Sequence, residues 1–183
     1  MIDDATTDRQ PPHPADSTDS ALPGGTVRPA RHSIPSLIFF LLLCAAGAAV
    51  GGMVDQGIWY SRLVKPELNP PSWLFGPVWT ILYIMMAVAA WLVWRTETDR
   101  RARLIAIGLF IAQLVVNALW SLIFFGLHDI TLALVDIVLL IILIVATIVA
   151  FYRVNPNAAW LLVPYLLWVC FATYLNGAIR TLN

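Results

Sequence analysis

The stretch WLFGPVWTILYIMMAVAAWLVW, residues 73–94, carries no charged side chain and is long enough to cross a bilayer core, which takes about 20 helical residues. Working outward, the runs Ile34 to Val54, Leu104 to Phe125, Ile130 to Phe151 and Ala158 to Ile179 have the same character. Together they predict an all-α integral membrane protein, a bundle of five transmembrane helices. Composition agrees: 60% of residues are hydrophobic and 12% charged, against roughly 45–50% apolar in a soluble domain, which excludes a soluble enzyme. Eleven Lys+Arg balance eleven Asp+Glu, so no electrostatic footprint points to nucleic acid.

Residues 1–33 are polar and rich in Pro, Asp, Ser and Thr, the composition of a disordered tail. No short apolar stretch with a small-residue cleavage pattern follows them, so the first apolar run is expected to stay as a span. The chain therefore divides into a tail, 1–33, and a membrane domain, 34–183. Alternating the connections between faces collects Arg28, Arg31, Arg95, Arg100, Arg101, Arg103 and Arg153 on one side, against Arg62, Lys65 and Arg180 on the other. The positive-inside rule then puts the N-terminus in the cytoplasm of a bacterial-type cell membrane. Short connections after the third and fourth spans predict antiparallel neighbours. The long one, Asp55 to Ser72, carries Trp59, Tyr60, Lys65, Pro66, Pro70 and Pro71 and reads as a stiff lid, since long loops in compact proteins are usually functional. An odd helix number does not divide into the equal inverted halves common among secondary transporters.

Eight tryptophans are present. Trp91, Trp94 and Trp160 fall at span ends, where interfacial anchors belong. Trp168 lies about 15 Å into the fifth span at 1.5 Å per residue, and a buried indole N–H needs a partner or a ligand. Trp79 and Tyr83 share one helix face, as do Trp168 and Ala172, and a small residue beside a deep aromatic leaves a slot for a flat molecule. Gln113, Asn117, Trp120 and Phe124 form one stripe of the third span, which serves either interhelical hydrogen bonding or a ligand. Asp136 is the one acid well inside a span, read either as structurally paired or as a ligand or proton group. Arg62 and Lys65 meet either lipid headgroups or the carboxylates of an amphiphilic ligand. Gly47 and Gly51 form a close-packing surface, toward either another helix of the bundle or a second copy.

Several chemistries find no support. Cys44 and Cys170 sit in apolar runs, without the spacing of a metal site or a disulfide framework. His13, His32 and His128 lie in the tail or a loop, and neither a Ser/His/Asp set nor a glycine-rich phosphate loop is present. A hydrolase or nucleotide-driven machine is not expected, no cofactor is required, and an aromatic interior under a lid suits a flat hydrophobic ligand.

The residues that carry these features also carry a resemblance. Trp59-Tyr60, Lys65-Pro66, Asn69-Pro70-Pro71-Ser72-Trp73, Gly76-Pro77-Val78-Trp79-Thr80-Ile81-Leu82-Tyr83, Gln113 through Asn117, Trp120, Phe124-Phe125-Gly126, Ala133-Leu134-Val135-Asp136, Pro164-Tyr165-Leu166-Leu167-Trp168, Phe171-Ala172-Thr173 and Leu175-Asn176 occur in order. Over residues 34–183 the chain closely resembles the TspO/MBR family of tryptophan-rich sensory proteins and translocator proteins, the peripheral-type benzodiazepine receptors. The resemblance implies a five-helix protein, often a homodimer, that binds porphyrins such as protoporphyrin IX and haem, with sterol and benzodiazepine-type ligands in some members. It implies a pocket walled by Trp73, Trp79, Tyr83, Asn117, Trp120, Trp168 and Ala172. It further implies, for members that degrade porphyrin in light and oxygen, catalytic roles for Trp79 and Trp168; a carrier of porphyrin or sterol is the remaining alternative. The chain departs from the family pattern at Glu67 and Leu68, where many members carry aromatics, and at Gly177 and Arg180 in the sterol segment. Val169, Tyr174 and Arg180 still satisfy the loose sterol pattern.

Overall fold

A helix satisfies its backbone N–H and C=O groups within itself, the condition for crossing lipid. The described residues of this computed structural model, 33–53 and 57–183, are helical wherever the sequence is apolar. The tail expected over residues 1–33 lies, apart from Ser33, outside them. The elements are α1 (Ser33–Gly52), α2 (Gly57–Arg62), α3 (Ser72–Arg95), α4 (Arg100–Ser121), α5 (Ile130–Val154) and α6 (Pro156–Leu182). All but α2 are long and apolar enough to span a membrane, giving the five expected spans. The protein is a multi-pass membrane protein, and its outward Ile38, Phe39, Leu139, Ile142, Val145 and Val149 are exposed to what would be lipid.

The helix starts follow from local chemistry. The Asp99 carboxylate accepts from the Ala102 N–H at 3.1 Å, and that cap begins α4 a turn before the apolar run. Asp129 caps α5 by accepting from the Leu132 N–H at 2.8 Å. The Asn155 side chain accepts from the Asn157 and Ala158 N–H groups at 3.1 and 3.3 Å, so α6 follows α5 with one intervening residue. At its far end α4 continues into a π-helical turn, Leu122–Gly126, closed by the Leu127 N–H donating to the Leu122 carbonyl at 2.9 Å.

Around the bundle the helices contact in the cyclic order α1, α3, α6, α5, α4. The α1–α4 closure depends on glycine. A Cβ on Gly47 would lie 3.0 Å from Leu114 Cδ1, and one on Gly51 3.1 Å from Ser121 Oγ. The small-residue surface of α1 therefore packs inside the bundle, against α4. In the half near the Arg95 end the interior is filled by Met86, Phe110, Ile144, Phe151 and Leu162, all fully buried, with Phe110 and Phe151 stacked at 6.0 Å.

Inserting extra methylenes into a tight contact costs about 1–3 kcal/mol. Gly47→Leu is expected to lower the thermal midpoint in detergent by several degrees. Gly108→Leu on α4, whose Cβ would meet nothing within 4 Å, is the matched control and is expected to leave it unchanged.

Candidate ligand cavity

The other half of the bundle is not filled. Ala45, Ala48, Gly51 and Gly52 on α1, Gly76 on α3 and Ala172 on α6 put little volume between the helices, and a cavity of about 640 Å³ results. That size lies within the roughly 300–1,000 Å³ of small-molecule sites. Its walls come from α1, α3, α4 and α6, and its roof includes Tyr60 of α2. None of the described residues lining it comes from α5, which backs α4 and α6 from outside.

The aromatic walls are ordered by ring contacts. Trp79 lies 5.6 Å from Tyr83 and 6.3 Å from Tyr165. Trp168 meets Phe75 edge-on at 5.8 Å, and Trp120 stacks on Phe124 at 5.1 Å. Polar groups are few. The Tyr83 hydroxyl donates to Asn117 Oδ1 at 2.7 Å, and Asn117 Nδ2 donates to the Tyr165 hydroxyl at 2.9 Å. Asn176, with its amide oriented to suit its neighbours, donates to the Ile130 carbonyl at 3.1 Å and accepts from the Leu134 N–H at 3.2 Å. Trp168 Nε1 is buried and has no hydrogen-bond partner. The indole ring lines the cavity, while its N–H is sealed inside the packing without a partner, so that donor carries its full desolvation cost.

The lid is built on α2. A helix this short does not stand alone; it is held because Trp59 packs edge-on to Phe124 at 5.7 Å and Tyr60 to Phe125 at 5.5 Å. Trp59 also lies against the His128 ring at 4.3 Å. The π-helical turn sets this up: the extra residue brings the consecutive Phe124 and Phe125 both to the cavity. Lys65 Nζ sits 4.6 Å over the Tyr60 ring, a cation–π contact. Burial pushes the Tyr60 phenol above its ordinary pKa, so it stays neutral at physiological pH. Asn183 fastens the lid, its amide accepting from the Val64 N–H at 3.0 Å and donating to the Val64 carbonyl at 3.1 Å.

Of the wall expected from the sequence, Trp79, Tyr83, Asn117, Trp120, Trp168 and Ala172 line this one cavity. Trp73 is not among the lining residues: it stands in the first turn of α3 and is 71% exposed. Gln113 is fully buried outside the cavity, and neither amide atom has a hydrogen-bond partner. Asp136 is half-buried, lies off the cavity, and its Oδ2 is likewise unpartnered. Sequence reasoning missed the α1 wall, for which the alternation of small residues through Ala45, Ala48 and Gly52 was the available signal.

Residues 39–182 match the family model described as TspO/MBR. The chain is 52% identical over 125 residues to the tryptophan-rich protein TspO of Chlorobaculum tepidum, covering 68% of this chain and 79% of that one. It is 41% identical over 141 residues to the human translocator protein, covering 75% and 83%. To the tryptophan-rich sensory protein of Cereibacter sphaeroides it is 38% identical over 144 residues, covering 79% and 89%.

A larger side chain on α1 tests whether the missed wall belongs to the site. Ala48→Phe is expected to weaken binding of a flat aromatic ligand by at least about tenfold, the least that one misplaced methylene-sized clash produces in a closed pocket. Helicity by circular dichroism should not change.

Proposed function

The chain belongs to the TspO/MBR family, and from that premise we propose that it is a membrane receptor or regulator that binds porphyrins such as protoporphyrin IX and haem, acting in tetrapyrrole metabolism or stress response. The observation that carries this reading is the cavity of about 640 Å³ walled by Trp79, Tyr83, Trp120 and Trp168. A flat apolar ring system matches these aromatic walls. Lys65, held over the ring of Tyr60 in the lid, would supply the cation for a carboxylate of that ligand. Such a ligand needs both an apolar body and acidic substituents, which describes a porphyrin better than a sterol. The residues of the loose sterol pattern do not share a surface, since Val169 is buried while Tyr174 is exposed and Arg180 donates to Thr131 at 3.1 Å. The proposed orientation, with the N-terminus in the cytoplasm of a bacterial cell membrane, rests on the arginine distribution.

A second reading, light- and oxygen-dependent degradation of the bound porphyrin, is favoured by one feature. Trp79 is in ring contact with both Tyr83 and Tyr165, a cluster of electron-rich rings beside which an indole could give one electron to light-excited porphyrin, with oxygen as the final acceptor of that electron.

Protoporphyrin IX titrated in the dark into the purified protein is expected to quench tryptophan fluorescence saturably. Trp168→Phe, which removes ring area from the wall, should weaken binding about tenfold. Absence of saturable quenching, or an identical curve for Trp168→Phe, overturns the reading. Under illumination with oxygen, protein-dependent loss of the porphyrin absorbance that disappears in Trp79→Phe selects degradation, and a stable spectrum selects the receptor.

A further inference from the structure

At the end of the bundle away from the cavity, α3 passes into α4 through Arg95-Thr96-Glu97-Thr98-Asp99-Arg100-Arg101-Ala102-Arg103. Arg100 and Arg101 are exposed, but Arg95 and Arg103 are half-buried. The Arg95 guanidinium lies over the Trp91 ring, 4.5 Å from its centroid, and that of Arg103 over the Trp94 ring at 5.9 Å. Trp91 and Trp94 are neighbours on one helix face, so two arginine–indole pairs stand side by side at the boundary of a membrane span. Both Nε atoms are buried and without a hydrogen-bond partner, which leaves the terminal nitrogens as the part of each guanidinium that reaches the headgroup layer.

The setting is rigid. Arg103 Nη2 donates to the Thr96 carbonyl at 3.1 Å. The Thr96 hydroxyl donates to the Leu92 carbonyl at 2.8 Å and accepts from Asn155 Nδ2 at 3.0 Å, tying the turn to the α5–α6 junction. Trp94 is braced edge-on by Phe40 of α1 at 6.3 Å. The Asp99 carboxylate is engaged in capping α4. Indoles settle at headgroup depth, and a guanidinium fixed flat there offers its remaining terminal N–H groups to phosphate oxygens with little conformational entropy left to lose.

We propose that the α3–α4 turn is a binding site for the phosphate of an anionic phospholipid, held by Arg95 and Arg103 on the faces of Trp91 and Trp94. Basic pockets between spans on the positively charged side recognise such headgroups. Nothing in this site touches the aromatic cavity, and it holds whether or not the cavity binds porphyrin.

Native mass spectrometry of delipidated full-length protein, re-equilibrated with mixed phosphatidylglycerol and phosphatidylcholine, reads the site directly. Wild type is expected to retain phosphatidylglycerol selectively. Arg95→Gln with Arg103→Gln should cut the retained fraction about tenfold, the loss expected for hydrogen bonds to a charged group. Arg100→Gln with Arg101→Gln, which removes the same charge, should not. Arg95→Lys with Arg103→Lys keeps the charge and loses the planar fork; it guards against a glutamine pair that fails to fold, and it too should release lipid. Unchanged retention in both Arg95/Arg103 pairs overturns the site. Equal loss in the Arg100/Arg101 pair reduces it to diffuse attraction and also overturns it. Full displacement of the lipid by sodium phosphate would mean a free-anion site and overturns the lipid assignment.

Discussion

The side-chain amide of Asn117 sits between two phenols, accepting from Tyr83 and donating to Tyr165, and so ties α4 to α3 and α6 at the level where the filled half of the bundle ends and the cavity begins. In lipid, apolar surface gives helices no reason to prefer each other over acyl chains, so packing and interhelical hydrogen bonds set the arrangement. Each partner in this relay would be costly to bury alone. Together they fix where α3, α4 and α6 stand, and Trp79, Trp120 and Trp168 stand on those same helices, which makes the spacing of the aromatic walls a consequence of three polar groups.

The fold was legible because the bilayer makes it so. Uncharged runs of span length can only be helices, and the short connections at 127–129 and 155 leave α4, α5 and α6 no choice but to be antiparallel neighbours. What could not be read was the end of α4. The 4, 3, 4 spacing of Gln113, Asn117, Trp120 and Phe124 assumes an α-helix throughout, and the π-helical turn at Leu122–Gly126 breaks that period by one residue. Phe125 gains the cavity as a result. Helix α2 was hidden for a different reason: Gly57–Arg62 has no helical period of its own to recognise, and it exists because Trp59 and Tyr60 find Phe124 and Phe125.

The cavity wall was legible where large residues make it and illegible where small ones do. Trp79, Tyr83, Asn117, Trp120 and Trp168 announce themselves by size or polarity, and Ala172 by its place one turn from Trp168. The α1 wall of Ala45, Ala48, Gly51 and Gly52 contributes by what it lacks, and in sequence a run of small residues in a span reads equally as helix contact. Both readings turn out to apply to the same helix: the Gly47 and Gly51 backbone packs on α4 while Ala45, Ala48 and Gly52 leave room toward α3 and α6. Trp73, which the family motif puts in the wall, shares an α3 stripe with the lining residues Gly76, Thr80 and Ile84 but stands in the first turn of the helix, where it is exposed instead of lining the cavity.

The two ends of the bundle use the same residue types to opposite effect. At the cavity end, indoles and phenols face inward around a space and are capped by one lysine over one phenol. At the other end, the space between helices is filled by Phe110, Phe151 and Met86, so the indoles of Trp91 and Trp94 turn toward the boundary and carry guanidinium groups instead. An interior that is solid at one end and open at the other orders the protein through its filled half and leaves the space under the lid unfilled. That division follows from where the sequence places bulk, with alanines and glycines on the C-terminal half of α1 and Phe40, Phe110 and Phe151 in the other half of the bundle, rather than from any separate functional element.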